Sequence, residues 1–193
     1  DLRVITPQNQ MEAGRLLAAQ FPSRSTGNPY INQLKSSLAE WGVASKEHDM
    51  YIGGRNTLPA SPDCPWLAQN QGRVQLLHFH WLQRFYRAAS PEAALQRAAE
   101  FEAFLDYAKE LDYKIVYTFH NLLPHEGMGA ELDRQVRAAL LSRAAAVTCF
   151  SRRQQEQITR HFGPLPLSVI AHPGYIGCYP SRLTEAECRR RLG

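Results

Sequence analysis

Short, nearly continuous apolar runs alternate along the chain with longer stretches in which apolar residues return every three or four positions. Short runs bounded by turn residues read as buried strands; the longer spacing reads as helix. The first run, LRVIT (Leu2–Thr6), is β-branched and stops at Pro7, which predicts a first strand. Gln10–Gln20 reads as a short helix with Met11, Leu16 and Leu17 on one face. FPSRSTGNPY is turn chemistry, and Asn28 is placed to cap a helix whose first position is Pro29. That helix carries Tyr30, Ile31, Leu34, Leu38 and Trp41 and stops at Gly42. Ser45–Gln71 is rich in Gly and Pro and reads as loop with room for one short strand. Beyond it the pattern predicts strand Val74–Phe79, helix Pro91–Leu111, strand Lys114–Phe119, helix Ala130–Arg143 and strand Ala145–Phe150. Ser151 caps a helix over Arg152–Phe162 that Gly163 and Pro164 end; strand Leu167–Ala171 follows, and Thr184 opens a last helix.

Strands that are apolar on both faces and alternate with helices imply an α/β fold. The expected architecture is a Rossmann-like, mostly parallel sheet with helices on both faces. Right-handed crossovers carry every strand C-terminus to one edge, where such sheets bind ligands. His78 and His80 follow VQLL, His120 follows IVYTF, Ser151 follows VTCF and His172 follows SVIA. Polar side chains from four strands are thereby gathered on one rim.

Composition narrows the class. A chain of 193 residues with 44% hydrophobic and 21% charged residues suits one globular domain. No apolar run approaches the roughly 20 residues that span a bilayer, and the first residues lack the pattern of a secretion signal. Cysteines 64, 149, 178 and 188 form no CxxC pair, which points to a reducing, cytoplasmic compartment. The formal charge of +4 and pI near 9.0 suit a phosphate-bearing ligand or peripheral contact with the inner, anionic face of a membrane. A solvated surface with more Arg than Glu explains the same excess. Nothing points to nucleic acid.

The candidate chemistry lies at the strand ends. A neutral imidazole at His120 can exchange one hydrogen bond with a sugar hydroxyl, and Asn121 adds donors and an acceptor. Both residues could equally satisfy backbone groups of a tight turn. Glu126 can serve as general base or orient His125, or it can simply complement a helix dipole. His78-x-His80 places two imidazoles on one side of a strand, a metal-ligand geometry that His120 could extend. No fourth ligand is evident, and HFHW could also be core packing. The Gly27–Tyr30 turn is a helix N-terminus able to face a phosphate, without the GxGxxG spacing of a dinucleotide site. Tyr175 and Tyr179 in HPGYIGCYP can stack on an acceptor or pack the domain edge, and Arg189–Arg191 read as a solvated helix end.

The order NPYINQLKSSLAEWG, LLHFHWL, IVYTFHNLLPHE, AAAVTCFSRRQQEQITRHFG and LSVIAHPGYIGCYP resembles the N-terminal half of a bacterial GT-B glycosyltransferase. It is most similar to the retaining group classed as family 4, over nearly all the chain from Asn28 on. The resemblance implies a Rossmann-like, acceptor-side domain over residues 1–180. Residues 181–193, SRLTEAECRRRLG, are similar to the connection to a C-terminal domain that binds the nucleotide-sugar and that this chain does not carry. The implied activity is transfer of a sugar from a nucleotide-sugar to a polysaccharide or lipid-linked acceptor, with retention and without a cofactor or divalent metal. By the same resemblance His120 stands against the donor sugar and the Gly27–Asn28 turn faces the donor diphosphate; Asn121 is expected on that donor side too, and Glu126 is the fallback base. Tyr30, His78, His80, His125, His172 and Tyr175 are implied on the acceptor side. The long stretch before Asn28 departs from the family's short glycine-rich loop. A non-catalytic carbohydrate- or nucleotide-binding α/β module is the alternative reading from another class, and a metal hydrolase built on His78, His80 and His120 is the third.

Overall fold

The structure is a computed structural model that describes residues 16–23, 27–47, 51–52, 55–56, 65–122, 129–179 and 183–193. Its strands are β1 (Leu16–Phe21), β2 (Val43–Ser45), β3 (Tyr51–Ile52), β4 (Arg55–Asn56), β5 (Leu76–Phe79), β6 (Lys114–Thr118), β7 (Ala144–Cys149) and β8 (Leu167–Val169). Its helices are α1 (Tyr30–Glu40), α2 (Pro65–Asn70), α3 (Gln83–Tyr86), α4 (Pro91–Glu110), α5 (Ala130–Leu141), α6 (Arg152–Phe162) and α7 (Glu185–Leu192). Six strands form one parallel sheet in the order β2-β1-β5-β6-β7-β8; β3 and β4 pair separately and antiparallel. The fold is thus the parallel α/β architecture that the alternating pattern predicts. None of the described helices is long and apolar enough to cross a membrane.

The two faces of this sheet differ. From β1 the chain steps one way to β2, and from β5 onward every step goes the other way, so right-handed crossovers set α1 on one face and α4, α5 and α6 on the opposite one. The face under α4–α6 is hydrocarbon. Phe21, Leu77, Phe79, Ile115, Tyr117 and Val147 project into it and meet Phe101, Phe104 and Leu105 of α4, Leu140 of α5 and Ile158 of α6. Phe21 stacks on Phe79 at 4.7 Å and Phe85 on Phe101 at 4.7 Å. The alternate residues of the same strands, Gln20, His78, Thr118 and Thr148, face α1. The helix ends obey local rules. Ser90 caps α4 through Ala93 N–H at 3.2 Å, Ser151 caps α6 through Gln154 N–H at 3.1 Å, and Thr184 with Glu187 forms a capping box on α7. Gly163 ends α6 at φ 79°, where a side chain would be strained.

Two expectations need correction. Leu16–Gln20 is not the end of a helix: it lies in β1, hydrogen-bonded on both sides between β2 and β5. Leu and Ala favour helix locally, but a run of six with five apolar residues and strands on either flank gains more as a buried strand. The rest of that span, and the strand expected at Leu2–Thr6, lie outside the described residues. β1, the first of the described strands, ends at Phe21, and the NPY corner at Asn28 follows it. Ser45–Gln71 is less bare than expected, holding β3, β4 and helix α2. The three-residue edge strand β2 and the single turn α3 are too short to show a period.

Candidate functional site

The sheet order reverses between β1 and β5, and the crevice outside that reversal is where open parallel sheets hold ligands. The candidate residues collect there. At the corner before α1, Asn28 Oδ1 accepts the Tyr30 backbone N–H at 2.9 Å, which turns the chain and drives the Tyr30 ring inward. The edge of that buried ring meets His120 at 4.6 Å between centroids, with His80 at 5.5 Å and Phe150 at 5.8 Å. His120 stacks on Trp81 at 4.2 Å and meets Phe150 at 5.2 Å.

Hydrogen bonds fix the ring states. His80 Nε2 lies 3.0 Å from Gln20 Oε1, and an amide oxygen only accepts, so His80 carries its proton on Nε2. Its bare Nδ1 then accepts from His120 Nε2 at 3.3 Å, which leaves Nδ1 of His120 as an acceptor with no partner among the described residues. One level down, His78 Nε2 is 2.7 Å from Thr118 Oγ1, itself 2.7 Å from Thr148 Oγ1, and the His78 and His80 rings are 4.2 Å apart. Burial holds all three imidazoles neutral. It lowers His120 to about 3, helped by the neighbouring His172 and His78, lowers His78 to about 4, and lowers His80 well below its ordinary value, with His78 and His120 adding to the effect. Tyr30 is raised for the same first reason, loss of water around its phenol.

The turn at 119–121 is pinned from two sides. Gln154, in the first turn of α6, donates to Phe119 O at 3.2 Å and accepts from Phe150 N at 2.8 Å. From α5, Arg137 Nη1 donates to Asn121 O at 3.0 Å and to Tyr117 Oη at 2.7 Å. Arg137 is paired with Asp133 in α5, both nearly water-free at 4% and 2% exposure, and Tyr86 donates to Asp133 at 2.6 Å. Every guanidinium nitrogen has a partner, so the charge is buried at tolerable cost. The last strand's exit loop returns to the corner. Tyr175 donates to Asn28 Oδ1 at 3.2 Å and lies 3.2 Å from His172 Nε2, Tyr179 donates to Gly27 O at 3.1 Å, and Gln33 donates to Gly174 O at 3.1 Å.

Gly27, Asn28, Tyr30, His80, His120, Asn121, His172 and Tyr175 therefore form one neighbourhood. His78 lies beside it on the sheet face; His80 is buried with both nitrogens engaged. His125 and Glu126 lie outside the described residues. Among the described residues no group of three or more His, Cys, Asp or Glu side chains is arranged to hold a metal ion. Sequence reasoning missed Trp81, Phe150, Gln154, Asp133 and Arg137. The last pair sits at i, i+4 beside Val136 and Leu140, and that apolar context was the available sign of burial. No protein-family model, curated protein or solved structure matches the chain.

Proposed function

We propose that this chain is the acceptor-side half of a GT-B glycosyltransferase that moves a sugar from a nucleotide-sugar to a polysaccharide or lipid-linked acceptor, with retention of configuration. The observation that carries the reading is His120, a neutral imidazole whose second ring nitrogen has no partner among the described residues, set on Trp81 and Tyr30 at the reversal point of the sheet, beside the Gly27–Asn28 corner. An uncharged ring nitrogen accepts a hydrogen bond from a sugar hydroxyl without opposing the positive charge that grows at the anomeric carbon. The N-terminal end of α1 favours the charge of a departing diphosphate. In the reaction the acceptor oxygen bonds to the anomeric carbon as the bond from that carbon to phosphate breaks, and the acceptor proton passes to the departing phosphate oxygen. Most stabilisation of that diphosphate is assigned to fixed donors and basic groups of a second domain, and closure of the two domains excludes water. Glu126 is the alternative base.

Calorimetric titration of the 193-residue chain and of the complete gene product with a panel of nucleotide-sugars tests this reading. It predicts saturable binding by the complete protein and none by the chain alone, because the nucleotide contacts belong to the other half. Firm binding by the chain alone would replace it with a non-catalytic nucleotide-binding module.

A further inference from the structure

Between α1 and the sheet lies a cavity of about 410 Å³ that none of the chemistry above uses. It exists because α1 packs closely only at its first turn, where Tyr30 and Ile31 are buried; Leu34 and Leu38, one and two turns on, are only half-buried. Strand register orders its floor. Ala18 pairs with Leu76, Gln20 with His78 one step nearer the strand C-termini, and Thr118 with Thr148 a step further. Helix α1 runs back against the strands, so Gln33 overlies the polar rows while Leu38 overlies Ala18 and Leu76, next to Val43 at the far end. The cavity is thus polar beneath the Tyr30 ring and hydrocarbon at its other end. At the polar end Gln33 Oε1 is buried without a hydrogen-bond partner among the described residues; its amide nitrogen is fixed by Gly174 O, so the oxygen is held in place. An orphaned acceptor of this kind has a standing cost that a donor brought by a ligand removes. None of the lining side chains is an acid, a lysine or an arginine, and burial keeps His78 neutral.

We infer that this cavity binds an uncharged amphiphile, an aliphatic body with a hydroxyl-type head, whose tail lies toward Leu38 and Leu76 and whose head lies under Tyr30 against Gln33 and Thr118. The volume is within the roughly 300–1,000 Å³ of small-molecule sites, and an apolar lining with a few convergent polar groups is their usual make-up. A charged head would lose its hydration without meeting a counter-charge. This inference does not depend on glycosyl transfer and needs no donor to test.

The test uses the 193-residue chain with 1-octanol, octanoate and octylamine as probes at pH 7, followed by methyl NMR. Intermolecular NOEs are expected from the octanol methyl to Leu38, Leu76 and Val116, with octanol at least tenfold tighter than either charged probe. Ser37→Trp, an exposed α1 position that lines the cavity, should weaken octanol at least tenfold. The NOEs on the unaltered chain decide the matter even if that variant fails to fold. Absence of octanol binding, NOEs confined to other surfaces, equal affinity for octanoate, or a folded Ser37→Trp chain with unchanged affinity would overturn the inference.

Discussion

Mild acid should unfold this protein well above the pH at which carboxylates protonate. His78, His80 and His120 are held neutral by burial, with His120 lowered to about 3 and His78 to about 4. In the unfolded chain each returns to about 6.5. Below 6.5 the unfolded state takes up protons that the folded state refuses, so the stability present above that pH is lost as pH falls toward the folded values. At pH 5 the unfolded imidazoles sit 1.5 units below their pKa, which is about 2 kcal/mol for each group and about 6 kcal/mol for three independent ones. That upper figure is comparable to the whole stability of a typical domain, about 5–15 kcal/mol. Asp106 and Glu131, bonded to Arg143 and Arg134, titrate below the ordinary carboxylate range, outside the interval from pH 7 to 5. Urea unfolding followed by circular dichroism should show the midpoint falling by at least about 1 M over that interval, given slopes of about 1–3 kcal/mol/M. His120→Gln should remove about a third of the pH dependence. A midpoint that does not move, or imidazole resonances of His78, His80 or His120 in the folded chain that titrate near 6.5, would refute the burial argument.

Arg137→Met leaves Asp133 charged and unpaired in the core and should cost about 3–5 kcal/mol; the double change Arg137→Met with Asp133→Leu should recover most of that in chemical denaturation. Phe101→Ala empties a fully buried ring site between α3, α4 and β5 and should cost about 3–5 kcal/mol by the same assay. Tyr117→Phe removes one acceptor of Arg137 and should cost about 1–2 kcal/mol, with amide shifts near Asn121 in an NMR spectrum.

The sheet was legible because its central strands, Leu76–Phe79, Lys114–Thr118 and Ala144–Cys149, are short apolar runs between helices, and Ser151 and Thr184 mark two helix starts. Leu16–Phe21 was misread because its alanines and leucines carry no strand signature until β2 and β5 flank them. The rim could be deduced from handedness alone, which is why His120, His172 and the Asn28 corner meet across 144 residues of sequence. What the sequence could not show is pairing between distant side chains. Trp81 under His120, Gln154 over the 119–121 turn and Arg137 beneath Asn121 come from elements whose contact depends on the finished packing. The cavity was equally hidden, since it follows from how far α1 stands off the sheet.

The central claim is that the second ring nitrogen of His120 holds the transferred sugar. Its most direct test is turnover of nucleotide-sugar by the complete gene product and by its His120→Ala form, with circular dichroism confirming that both are folded. Loss of one positioned hydrogen bond to the transition state predicts a drop in kcat of roughly 10²–10³. Equal turnover by the two folded proteins would contradict the account.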